Sequence, residues 1–106
     1  MNTSVWYNVS ASISGGWLVA GNAGTEPLTQ FRGTSDNIPF RFRLNNKWAG
    51  ELNTVTKNYS IGDSAGQAVT SGMFNVAVGS RALGKNTSGS WNTAIGTDAL
   101  YYNTGN

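Results

Sequence analysis

The sequence predicts an all-β chain, an N-terminal strand and hairpin segment followed by a flattened β-solenoid of three coils. Three observations carry that expectation. Gly, Asn, Ser and Thr together supply 49 of the 106 residues while only 11% are charged, a balance poor in helix formers and rich in strand and turn formers. The stretch around residue 40 alternates apolar and basic side chains with the period of a strand. The second half of the chain matches itself at a spacing of 17 residues. A net charge of +2 with 39% apolar residues and four Trp does not fit disorder, which couples low hydrophobicity to high net charge.

Residues 1–16 read as an attachment or leader segment containing Trp6 and Tyr7. The opening Met1-Asn2-Thr3-Ser4-Val5-Trp6 has neither the basic nor the apolar region of a signal peptide, and no run is long enough to span a membrane. Residues 17–57 read as a β-rich segment. Within it Ile38, Phe40, Phe42 and Leu44 share one face and Arg41 and Arg43 the other, with Pro39 setting an edge or a strand start. Asn45-Asn46 offers a tight turn, because Asn tolerates positive φ, and Trp48 to Leu52 is expected to return as the partner strand. Arg41 and Arg43 read as a solvated strand face, with a ligand-binding pair as the alternative.

Residues 58–106 hold three copies, NYSIGDSAGQAVTSGMF, NVAVGSRALGKNTSGSW and NTAIGTDALYYNTGN, the last two residues short of a full period. Asn58, Asn75 and Asn92 coincide, then Ile61, Val78 and Ile95, then Gly62, Gly79 and Gly96. Each copy is expected to form two short strands, Asn-x-Ala-Ile and a stretch around Ala-Leu, separated by turns at the glycines and at Asn-Thr-Ser-Gly. Stacking then makes ladders of like residues. In Asn75-Val76-Ala77-Val78 both faces of the strand are apolar, and such strands are usually covered on both sides. A thin roll can cover only one from within, so a homo-oligomer is expected, with the Ala face (Ala77, Ala94) or the Val face at the subunit contact.

The pattern Asn-Thr-Ala-Ile-Gly-x-x-Ala-Leu-x-x-Asn-Thr-x-Gly from Asn92 resembles the repeats of phage and bacterial fibre proteins. It is also similar to the head repeats of trimeric autotransporter adhesins. Trp17 to Thr25 and Phe31 to Asn46 resemble segments that precede such repeats in tail-fibre proteins, so the likeness covers about residues 17–106. The resemblance implies a left-handed parallel β-roll in a parallel homotrimer, with Ile61, Val78 and Ile95 in the core beside Leu83 and Leu100. It implies a structural segment of a virion or tail-like particle that projects a distal receptor-binding region; residues 1–16 lie outside the likeness and read as attaching the segment to other particle proteins or simply starting it. A bacterial surface adhesin head is the alternative. The first copy departs from the pattern, with Gly66 in the slot of Leu83 and Leu100 and Ala68-Val69 in place of turn residues, and so reads as a degenerate cap.

Composition narrows the chemistry. Without His or Cys the chain has no imidazole acid–base catalyst, thiol nucleophile or Cys/His zinc site. Two carboxylates placed for glycoside hydrolysis are not implied by Glu26, Asp36, Glu51, Asp63 and Asp98, which fall in unrelated slots. No enzyme activity or cofactor is therefore expected. Five of the seven basic residues lie between positions 32 and 57, too sparse for tracking phosphates, so no nucleic-acid partner is expected. Trp91, Tyr101 and Tyr102 are candidate stacking surfaces for host glycans. For Trp91 the competing reading is a structural ladder with Phe74, which occupies the same slot.

Overall fold

The computed structural model describes residues 16–106; residues 1–15, with Trp6 and Tyr7, lie outside the described residues. The chain divides into two compact units, Met1–Gly33 and Thr34–Asn106. In the first, residues 16–33 form turns without a strand or helix. The Asn22 side chain organises one of them, accepting from the Leu18 N–H at 2.9 Å and donating to the Gly16 carbonyl at 3.1 Å. The Arg32 guanidinium lies 5.6 Å from the centre of the Trp17 ring, within cation–π range.

The second unit is one five-stranded sheet: β1 Phe40–Leu44, β2 Lys47–Asn53, β3 Asn58–Ile61, β4 Val76–Val78 and β5 Thr93–Ile95, in that spatial order. No helix occurs among the described residues. Strands β1 and β2 form the expected hairpin. Leu44 pairs with Lys47, and Asn45 and Asn46 take φ of 50° and 56°, the two left-handed residues that a tight hairpin turn needs. The register skips Ala49, since Phe42 pairs with Gly50 and Arg43 with Trp48. At this bulge the Ala49 carbonyl accepts from the Gly62 N–H at 2.8 Å. A turn held by Asn53, whose Oδ1 accepts from the N–H groups of Val55 and Thr56, then leads antiparallel into β3.

From β3 onward the pairing is parallel and in register at 17 residues: Tyr59, Ser60 and Ile61 against Val76, Ala77 and Val78, and these against Thr93, Ala94 and Ile95. The repeat thus sets the stacking of the sheet. The remainder of each copy is also bonded to the next, as in Gly66 N–H to the Ala82 carbonyl and Leu83 N–H to the Ala99 carbonyl, at 2.9 and 3.0 Å.

The second strand expected in each copy is absent. Residues 79–85 and 96–102 are turns and bends, and the reason is repeated backbone geometry. Ser64, Arg81 and Asp98 have φ near 60°, and two residues later Gly66, Leu83 and Leu100 have φ of 61°, 53° and 49°. Two left-handed residues one apart interrupt the extended run a strand requires.

The alternation along β3–β5 decides which face is inside. Ser60, Ala77 and Ala94 are buried, and the turn half of each copy lies over them. The core is Ala65, Ala77, Ala82, Leu83 and Ala94, with Ala99 packed against it. Ile61, Val78, Ile95 and Leu100 are instead exposed within a single chain, so the aliphatic slot is not core to the chain that carries it.

Candidate functional site

The hairpin register extends the exposed face across all five strands. Paired residues share a face, so one row runs Phe40, Leu52, Tyr59, Val76, Thr93, and the next runs Phe42, Gly50, Ile61, Val78, Ile95. Phe40 and Phe42 meet edge to face at 5.0 Å. Gly50 takes φ of 138°, and a Cβ there would stand 2.3 Å from the Ser60 carbonyl oxygen; only Gly lets β2 approach β3 this closely. The amphipathic strand and the two-faced repeat strands, separate patterns in the sequence, form a single apolar surface. Leu52, Ile61, Val78 and Ile95 on it are 41%, 46%, 39% and 70% exposed.

The opposite face has one row with a gradient of polarity: Arg41, Glu51, Ser60, Ala77, Ala94. Arg41 is therefore not simply solvated. Its Nε donates to Glu51 Oε2 at 2.5 Å. Arg43, two residues further along β1 and past the bulge in the partner strand, donates to the Asn46 carbonyl at 3.2 Å.

Asn58, Asn75 and Asn92 form a ladder at one corner of the stack. Each donates through Nδ2 to a glycine carbonyl of its own copy, Gly72, Gly89 and Gly105 respectively. At the next corner Gly62, Gly79 and Gly96 have φ of 134°, 122° and 123°. A Cβ on Gly62 or Gly79 would stand within 2.7 Å of the backbone of the glycine stacked next to it.

The aromatic candidates occupy two places. Phe74 and Trp91 stack with ring centres 4.2 Å apart and planes 9° from parallel, which is the ladder, although Trp91 remains 69% exposed. Tyr101 and Tyr102 line a groove with Arg81 and Asp98 that Trp91 does not reach. Tyr101 lies close against Gly84 and near the cationic groups of Arg81 and Lys85, while Tyr102 is 81% exposed. Arg81 grips Asp98 through two hydrogen bonds of 2.7 Å. That pairing holds the Asp98 carboxyl below its ordinary pKa and raises that of Arg81. Among the described residues no three acidic side chains gather to hold a metal ion, and no helix is long and apolar enough to cross a membrane.

Sequence reasoning passed over Phe40, Phe42, Leu52 and Tyr59 as members of the repeat's outer face. The signal was present in the hairpin, because a two-residue Asn-Asn loop fixes the register and hence the shared face. Comparison with protein-family models, curated proteins and solved structures gave no match.

Proposed function

We propose that the chain is a structural segment of a trimeric fibre, of a phage virion or tail-like particle, that projects a distal receptor-binding region. In this reading residues 58–106 are coils of a parallel β-roll solenoid, and three copies meet through the row of Ile61, Val78 and Ile95. The observation that supports it most is the apolar face shared by all five strands and left uncovered within the chain. Covering one large aliphatic side chain yields about 1.5–3 kcal/mol, so a face with several of them favours self-association. A stack that lengthens by adding identical coils suits a stiff spacer. The test is mass in solution. Light scattering on the full chain of 11.2 kDa is expected to give three times that value, about 34 kDa, and a folded monomer would refute the trimer.

A second reading, a bacterial surface adhesin head or a fibre binding host glycans laterally, draws on the exposure of Trp91 and Tyr102. It predicts glycan-array binding that disappears in Trp91→Ala or Tyr102→Ala, and equal signals from wild type and variants would reject it.

A further inference from the structure

The departure of the first copy from its repeat is concerted. On the inner face Ser60 stands where the later copies have Ala77 and Ala94, and Gly66 stands where they have Leu83 and Leu100. Backbone geometry does not require that glycine: Gly66 has φ of 61°, and leucine adopts the same left-handed conformation at Leu83 and Leu100. What Gly66 contributes is space. A Cβ there would point at Ser60 and Ala77, 3.3 Å and 3.8 Å from their Cβ atoms, and a leucine side chain would enter the room beyond. That room is a cavity of about 250 Å3, floored by Leu83 and walled by the hairpin.

The walls are polar and carry unused hydrogen-bonding capacity. Glu51, only 9% exposed, accepts from Arg41 Nε at Oε2 and from Asn53 Nδ2 at Oε1. Arg41 spends Nε on that bond, and its terminal amino groups have no hydrogen-bond partner among the described residues. Ser60 Oγ accepts the Glu51 N–H at 3.1 Å, which leaves its own proton to donate. Thr56 Oγ1 is buried without a partner. Trp48, fixed by its indole N–H to the Ala65 carbonyl at 2.8 Å, also lines the cavity, with the Arg41 guanidinium 5.3 Å from the centre of its ring.

We propose that this cavity is a binding site for a single sugar ring. An ion pair has no net charge, yet it offers donors on Arg41 beside acceptors on Glu51, the complement of neighbouring hydroxyls that each donate and accept. The volume lies below the range of about 300–1,000 Å3 that holds drug-sized ligands, which suits one ring. The site lies on the inner side of the sheet, so it stands or falls independently of the trimer reading.

The test is ligand-observed NMR on the full chain with glucose, galactose and N-acetylglucosamine, each free and as its methyl glycoside. Binding at a Kd of about 1 mM is expected for at least one ring, as suits a few hydrogen bonds. Gly66→Leu should abolish it, since it installs the residue of the other copies, and Arg41→Gln should weaken it at least tenfold. Should Gly66→Leu fail to fold, Ser60→Ala, the side chain of the later copies, should still weaken binding. A methyl glycoside that binds like the free sugar identifies the end of a glycan as the ligand, and binding of the free sugar alone identifies a soluble monosaccharide. No binding by any probe, or binding untouched by Gly66→Leu in a folded variant, would overturn the proposal and leave a water-filled void.

Discussion

Asn58 Oδ1 accepts two hydrogen bonds from Asn75 one copy further on, from its backbone N–H at 2.9 Å and from its Nδ2 at 3.1 Å. Asn75 passes the arrangement on, its own Oδ1 accepting the N–H of Asn92 at 3.0 Å. One amide therefore ties successive copies together while its Nδ2 closes its own copy on the Gly89 carbonyl at 2.9 Å. Asn75 is 3% exposed, and water does not replace these partners at little cost. Asn75→Ala is expected to destabilise the fold by about 3 kcal/mol, the cost of leaving buried backbone groups short of partners. Chemical denaturation of variant and wild type measures it, and a loss below about 1 kcal/mol would show that the ladder is not a main support.

The glycine corner separates crowding from backbone strain. Gly79 and Gly96 share nearly the same φ, 122° and 123°, but a Cβ on Gly79 would meet the Gly96 carbonyl group at 2.6 Å, and one on Gly96 would meet nothing within 4 Å. Gly96→Ala should cost only the conformational strain, about 1–3 kcal/mol. Gly79→Ala adds a clash with backbone that cannot give way, and should cost more than about 4 kcal/mol or prevent folding. Thermal melts of the two variants side by side decide it; equal losses would mean that the stack opens to admit a methyl group.

Much of this frame was legible in the sequence because its signals are local or periodic. Asn45-Asn46 announces a two-residue hairpin through the φ it tolerates, and the 17-residue spacing carries directly into the parallel register of β3–β5. The second strand failed because leucine does not advertise a left-handed backbone, yet Leu83 and Leu100 adopt one. The inner face could not be chosen from Val76-Ala77-Val78 because both sides are apolar; the close cover over Ala77 chooses it. The Arg41–Glu51 pair across the hairpin follows from a register that alternation within β1 does not reveal.

The Arg81–Asp98 pair gives a pH dependence of known sign. Its hydrogen bonds hold the Asp98 carboxyl below its ordinary pKa in the folded chain, so the stabilisation is present above the unfolded carboxyl's pKa and is lost as pH falls through the lower, folded value. Both side chains are about half exposed, so the effect on stability is small. The direct readout is an NMR titration of the Asp98 carboxyl, expected to have a midpoint below the usual carboxylate range that rises in Arg81→Gln. An Asp98 midpoint indifferent to that substitution would mean the pair does not persist in solution.

The two faces of β4 give the sharpest test of what covers the sheet. Ala77 and Val78 are adjacent, yet Ala77 is 2% exposed and packs in the core of its own chain, whereas Val78 is 39% exposed between Ile61 and Ile95. A charge at Ala77 enters a core with no partner for it, and Ala77→Asp should leave the chain unfolded whatever its oligomeric state. A charge at Val78 is harmless to an isolated chain, because the side chain can reach water, but it falls in the middle of the proposed subunit contact. Val78→Asp should therefore convert a species of about three times 11.2 kDa into a monomer with unchanged circular dichroism. A Val78→Asp protein that keeps the mass of the wild-type assembly would remove this face from the interface and require three chains to meet elsewhere.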